Sequence, residues 1–265
     1  MNGNSDGIAW RVESGIGRIV LDNPERANAI SLESAMALAR AIDEVLAAAP
    51  RAIVLSANGK VFCAGGDVQK FAIASEGVDV LIGRIIEVIH PAVLRLANAP
   101  MPVVSVVAGS IGGAGIGLAL SADFVLVAAS MKLRTGFVGV GLSPDTGTSY
   151  FLARRTGTQV AKRWLIRSEA VDAQQCLAAG AVDAVLPDDE LAAHAEALAA
   201  ELASAAPASV AAIKSLCQRL DAGDLQAHLQ AEANAILACA GSDDAAEGIA
   251  AFRERRRPQF GSTHA

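Results

Sequence analysis

Aromatic residues are scarce, making up 4% of 265 residues with one Tyr and two Trp. So thin a set offers few stacking platforms, which argues against recognition of nucleotides or single strands. Clustered positive charge is also missing. The net charge is −6, and no run of cations occurs before Arg253 to Arg257. Nothing therefore suggests nucleic acid, and that late cluster fits phosphates, a partner subunit or a solvated helix end. The four cysteines, Cys63, Cys176, Cys217 and Cys239, lie far apart with no C-x-x-C pair. They support neither a metal site nor a disulfide framework and read as small core residues. No apolar run is long enough to cross a bilayer, and Met1 to Gly7 lacks the charged start and apolar stretch of a signal peptide. These absences predict a cytoplasmic protein with no membrane partner.

What the chain does have is apolar bulk. At 52% apolar residues it is long enough for one large core, or a core with a helical appendage. Ile8 to Val12 and Ile16 to Leu21 alternate apolar and polar residues across Glu13-Ser14-Gly15, the spacing of a hairpin. Ser31 caps a helical pattern from Leu32 to Ala48, although Ser34 stands where a full capping box would place an acid or amide. Arg51 to Ser56 reads as a buried strand. A helical stretch from about Asp79 to Asn98 is expected to bend or break at Pro91. Asp123 to Ala128 is another strand, while the glycine-rich Leu133 to Thr148 reads as loop and turn, with helix resuming near Ser149. From Thr158 onward Ala and Leu recur at helical spacing, apart from the strand-like Val182 to Leu186. Strand-helix units followed by helices alone predict an α/β core over residues 1–200 and a helical extension over residues 201–265.

Two stretches share one pattern, an apolar strand that breaks into glycines and resumes as a helix. One is Phe62-Cys63-Ala64-Gly65-Gly66-Asp67; the other runs from Val103 through Gly109, Gly112, Gly113 and Gly115 to Asp123. Such a junction lets another backbone or a ligand approach closely, and the first helical turn leaves N–H groups without partners. Four uses compete for the second junction. The dinucleotide fingerprint fails because Leu118 stands where its last glycine belongs, and no P-loop lysine follows. Ala108-Gly109-Ser110-Ile111-Gly112 misses a nucleophile elbow only at its first glycine, which keeps a serine hydrolase using Ser110 as an alternative, with His194, His228 or His264 as base. An oxyanion hole is the third use. The fourth is plain packing of helix on strand. Asp67 likewise fits an N-cap as well as a binding role.

The two junctions together resemble the paired signatures of the crotonase family, the enoyl-CoA hydratase and isomerase superfamily. Asn23 to Ile30 resembles its early CoA-contacting loop, Gly141-Leu142-Ser143-Pro144-Asp145 its active-site loop, and Glu247 to Phe260 its closing helix. The resemblance implies a spiral of ββα units with a C-terminal α-helical trimerisation region, binding acyl-CoA thioesters as a homotrimer or dimer of trimers. The acyl-CoA is the substrate, and no further cofactor or metal is implied. The family's oxyanion donors fall on the N–H groups of Gly66 and Ala114, and losing one such donor costs about 100- to 1,000-fold in rate. By the same likeness, Ala64, Gly65, Gly66, Asp67 and Val68 line the adenine and pantetheine path, and Arg26 meets CoA phosphates. Phe252 and Arg255 match positions that reach a neighbour's CoA. Surface charge for the two arginines and core packing for Phe252 remain the plain alternatives.

A family hydratase holds its water with two glutamates, and the matching positions here are Gly117 and Phe137. One acid does match a catalytic place: Asp145 falls where dienoyl-CoA isomerases, and a related epoxyphenylacetyl-CoA isomerase branch, carry an aspartate. The chain is thus expected to be an acyl-CoA isomerase with Asp145 as proton shuttle. A hydratase and a CoA-ester binder without turnover are the alternatives. Pro144-Asp145-Thr146-Gly147 also suits an ordinary turn and N-cap.

Overall fold

Two-residue loops at Asp6-Gly7 and Ser14-Gly15 have positive φ at both positions, the type I′ geometry that matches the twist of the strands it joins. They fold the chain's start into an antiparallel meander of β1 (Asn2–Ser5), β2 (Ile8–Glu13) and β3 (Ile16–Leu21). The computed structural model describes residues 1–75, 77–218, 243, 247, 251, 254, 256 and 258–260. The polar edge strand β1 has no apolar alternation, and nothing in the sequence had marked it as a strand. Helix α1 (Leu32–Ala47) starts at Ser31, whose hydroxyl accepts the Ser34 N–H. Ser34 returns the bond by accepting the Ser31 N–H, so a hydroxyl completes the box without an acid or amide.

Three ββα turns follow. The first is β4 (Ala52–Ala57), β5 (Val61–Cys63), α2 (Val68–Ala72) and α3 (Val78–Ala97). The second is β6 (Val103–Val107), β7 (Ser110–Gly112) and α4 (Ala114–Leu120). The third is β8 (Phe124–Ala128), β9 (Lys132–Arg134), α5 (Thr148–Thr156) and α6 (Thr158–Arg167). The first strand of each turn extends a seven-stranded sheet, ordered β1-β2-β3-β4-β6-β8-β11 with β11 at Ala184–Leu186, and the second extends a four-stranded sheet, ordered β10-β9-β7-β5 with β10 at Val171–Asp172. Each turn of the spiral therefore adds one parallel strand to both sheets. The remaining elements are β10 (Val171–Asp172), α7 (Ala173–Ala178), β11 (Ala184–Leu186), α8 (Leu191–Ala203) and α9 (Pro207–Gln218). This is the expected spiral of ββα units with helices toward the C-terminus.

All five residues of β6 are buried, as a parallel strand covered on both faces requires. One face of the large sheet packs with α1, α3 and α4 in the main core, and the other packs under Leu191, Ala195 and Ala199 of α8. Several expectations change. Helix α3 runs through Pro91 unbroken. The stretch 133–148 holds part of β9 and a 3₁₀ turn, Val138–Val140. Cys63 and Cys176 are buried, but Cys217 is exposed, and Cys239 lies outside the described residues. Helix α8 (Leu191–Ala203) spans residue 200, and α9 follows from Pro207. Among the described residues no single helix is long and apolar enough to cross a membrane.

Candidate active site

The two glycine junctions lie backbone to backbone. Gly65 has φ +96°, and a methyl group there would stand 3.0 Å from the Cα of Gly113 and 3.3 Å from the amide nitrogen of Ala114. Gly113, with φ +49°, meets the Gly65 Cα from the other side. Only glycine permits both the positive φ and this approach. Ile30 fixes the first junction: its N–H donates to the Gly65 carbonyl at 2.7 Å, and its carbonyl accepts the Asp67 N–H at 2.9 Å. That parallel bridge occupies the groups on either side of Gly66 and turns the Gly66 N–H the opposite way. Ala114 is the first residue of α4, where an amide has no intrahelical acceptor. Among the described residues neither N–H has a hydrogen-bond partner.

Gly66 and Ala114 line a cavity of about 510 Å³, together with Asp145. Its walls are mainly apolar, including Phe71, Ile82, Ile85, Ile86 and Phe137. The Oδ1 atom of Asp145 is buried and has no hydrogen-bond partner. Burial pushes the Asp145 carboxyl above its ordinary range, opposed chiefly by nearby His90 when that ring is cationic and then by hydrogen bonds from its own amide and Thr146. Asp145 is not a helix cap: α5 starts from Gly147 with no side chain on its first amides, which removes the plain N-cap reading.

The remaining candidates divide. Ala64, Gly66, Val68, Ala114 and Asp145 line the cavity, whereas Gly65, Arg26 and Asp67 do not. Arg26 donates to Asp67 at 2.9 and 3.2 Å and to Gln69 at 3.3 Å, outside the cavity. Asp67 is 5% exposed, accepts the Lys70 N–H at 3.2 Å and caps α2, so the N-cap reading is the one the structure bears out. Phe252 and Arg255 lie outside the described residues. Ser110 opens β7 instead of standing at a strand-to-helix elbow, and His194 is an exposed residue of α8, while His228 and His264 lie outside the described residues. Cys63 accepts the Gly65 N–H at 3.4 Å, and burial pushes its thiol up to about 12, which leaves it inert as a nucleophile.

One lining residue went unnoticed in the sequence. His90, on α3, accepts the Thr146 N–H at its Nε2 at 3.1 Å and faces the same cavity as Asp145. Its signal was faint: it continues the apolar stripe of Ile82, Ile85, Ile86 and Ile89 as a polar residue, immediately before a proline.

The profile of the enoyl-CoA hydratase/isomerase family matches residues 11–263. A protein named "Probable enoyl-CoA hydratase" from Rhodobacter capsulatus is 32% identical over 253 residues, covering 96% of this chain and 97% of that one. A 1,2-epoxyphenylacetyl-CoA isomerase of Escherichia coli is also 32% identical, over 255 residues, with coverage of 96% and 97%. The solved structure of an enoyl-CoA hydratase from Polaromonas superposes with a TM-score of 0.90 at 31% identity, covering 96% of this chain and 99% of that one. With its ββα spiral and its facing glycine junctions, the chain belongs to the enoyl-CoA hydratase/isomerase family.

Proposed function

We propose that the protein shifts a carbon–carbon double bond within an acyl-CoA thioester. The observation that carries this reading is Asp145, an acid that lines the same mainly apolar cavity as Gly66 and Ala114 and whose Oδ1 is buried without a hydrogen-bond partner. A buried acceptor left without a donor calls for an explanation, and a proton taken from a bound substrate supplies one. The thioester oxygen accepts the N–H groups of Gly66 and Ala114. Asp145 removes a proton from the carbon beside the carbonyl, and the electron pair moves onto that oxygen as an enolate held by the two amides. The same carboxyl returns the proton further along the conjugated chain, so atoms balance and no water or redox partner is consumed. A carboxyl whose affinity for protons is raised by burial suits both halves of that task.

The names of the relatives include both hydratase and isomerase. Hydration is disfavoured by Gly117, which has no room for a side chain: a methyl group there would collide with the Thr146 carbonyl oxygen and press on the Thr148 amide. Phe137, buried at the second glutamate position, also offers no carboxylate. Arg26, tied to Asp67, is left as a rim contact for CoA phosphates. By family likeness the working form is a trimer. A panel of 2-enoyl, 3-enoyl and dienoyl-CoA thioesters followed by absorbance and mass spectrometry tests the reading. Isomerisation leaves the mass unchanged, and Asp145→Asn abolishes it. A gain of the mass of water, or full turnover in Asp145→Asn, overturns it.

A further inference from the structure

Oδ1 of Asp145 has no protein partner, and the hydrogen bonds the carboxyl does receive come from its own amide and from Thr146. The direction of the carboxylate therefore depends on the backbone at these two residues. That backbone is unusual at the second of them: Thr146 has φ +50°, a left-handed conformation that a β-branched residue seldom adopts. Such strain persists only where the surroundings over-determine it, and the surroundings here are specific. Thr146 is 1% exposed. Its carbonyl is packed against the bare Gly117 on α4, where no side chain fits between them. The Thr148 hydroxyl donates to the Gly113 carbonyl at 3.3 Å, joining this loop to the second glycine junction. The Thr146 N–H donates to His90 Nε2 at 3.1 Å.

Resting on the isomerase reading above, we infer that His90 is a positioning residue: by accepting the Thr146 N–H it holds the left-handed turn that keeps Asp145 on the cavity it shares with Gly66 and Ala114. His90 suits that task because it sits on α3, a 20-residue helix. Anchoring the loop to a long element fixes it better than a bond within the loop would. An Nε2 atom that accepts an N–H carries no proton of its own, so in this arrangement the imidazole hydrogen resides on Nδ1. The Nε2 lone pair is thereby occupied by the main chain and is not available to take a proton from substrate.

The test compares His90→Ala, His90→Met and His90→Gln, reading exchange of the α-hydrogens of trans-3-decenoyl-CoA in D₂O and its double-bond shift. Glutamine places a carbonyl oxygen as far from the main chain as Nε2 and can accept the Thr146 N–H; methionine fills the space but offers no comparable acceptor. Alanine and methionine are expected to lower kcat about 10- to 100-fold with KM within about threefold, because a carboxylate displaced by an ångström still allows binding. Glutamine is expected to restore most of the rate. Equal impairment in all three variants overturns the inference in favour of proton transfer by the imidazole itself. A wild-type rate in the methionine variant overturns it too, and that variant keeps the test valid should alanine fail to fold. Asp145→Asn, run alongside, separates the two levels. If it abolishes exchange while the His90 variants are unaffected, the His90 inference alone falls. If it leaves exchange intact, or the wild type shows none, the isomerase reading falls first.

Discussion

A single carboxyl shows how the site trades stability for chemistry. Burial raises the pKa of Asp145 in the folded protein above its value in the unfolded chain. For an acid the sign follows directly: the buried charge costs stability wherever the group is ionised, and the cost disappears below the unfolded value of about 3.9. Asp145→Asn keeps the shape and removes the charge. The variant is therefore expected to melt higher than the wild type at pH 8, with the gap closing as the pH falls toward about 4. Thermal unfolding of both proteins across that range checks it. A gap that widens on acidification would mean that the carboxylate is stabilised by a partner in the folded state. Glu33 shows the opposite case. Hydrogen bonds from Lys70 and then Ser31, with its own backbone amide, hold its carboxyl at about 2. It strengthens the fold as an ion, and it has no part in the cavity.

Elements position this chemistry through their ends. Two strand-to-helix junctions meet because Gly65 and Gly113 carry no side chains, so Gly65→Ala confronts both a φ of +96° and a Cα at 3.0 Å. Strain and overpacking each cost about 1 to 3 kcal/mol, and together they are expected to lower stability by about 2 to 6 kcal/mol and to separate the Gly66 and Ala114 amides. Urea unfolding and binding of a saturated acyl-CoA measure the two effects; unchanged binding affinity would show that the amides do not depend on this contact. Much of the arrangement was legible in the sequence, because glycines between an apolar strand and a helix declare both the turn and the unpaired amides. What escaped was non-local or chemically mute. β1 is a polar edge strand, recognisable only by its pairing with β2. β9 and β10 are two or three residues long and set apart by glycine-rich chain. His90 meets Thr146 across 56 positions, a proximity that no local pattern encodes. The pairing of Arg26 with Asp67 escaped for the same reason, since the two lie 41 positions apart.

At the scale of the whole molecule, the question is whether the segment beyond Ala203 is an appendage or part of one cooperative unit. Its bonds point to the second. Lys214 on α9 is 10% exposed and donates to Asp123 Oδ2 at 2.5 Å and to the Met101 carbonyl at 2.8 Å. Asp123 in turn accepts the Val103 N–H at 2.8 Å, so one carboxylate links α9 to the start of β6, the strand that leads into the second glycine junction. Gln218 donates to the Ala97 carbonyl at the end of α3, the helix that carries His90, and Arg51 donates to the carbonyls of Ala203 and Ala205. Hydrogen bonds to charged groups contribute about 1.5 to 3 kcal/mol each when little water competes. Lys214→Met keeps the length of the side chain and removes the charge, leaving Asp123 with the Val103 amide alone. It is expected to shift a single unfolding transition to lower urea by about 1 to 3 kcal/mol, seen at the same midpoint by circular dichroism and by Trp164 fluorescence from the core. If the helical signal instead melts early while the tryptophan signal keeps its wild-type midpoint, α9 unfolds on its own. The support of the second glycine junction would then rest on residues 1–203 alone.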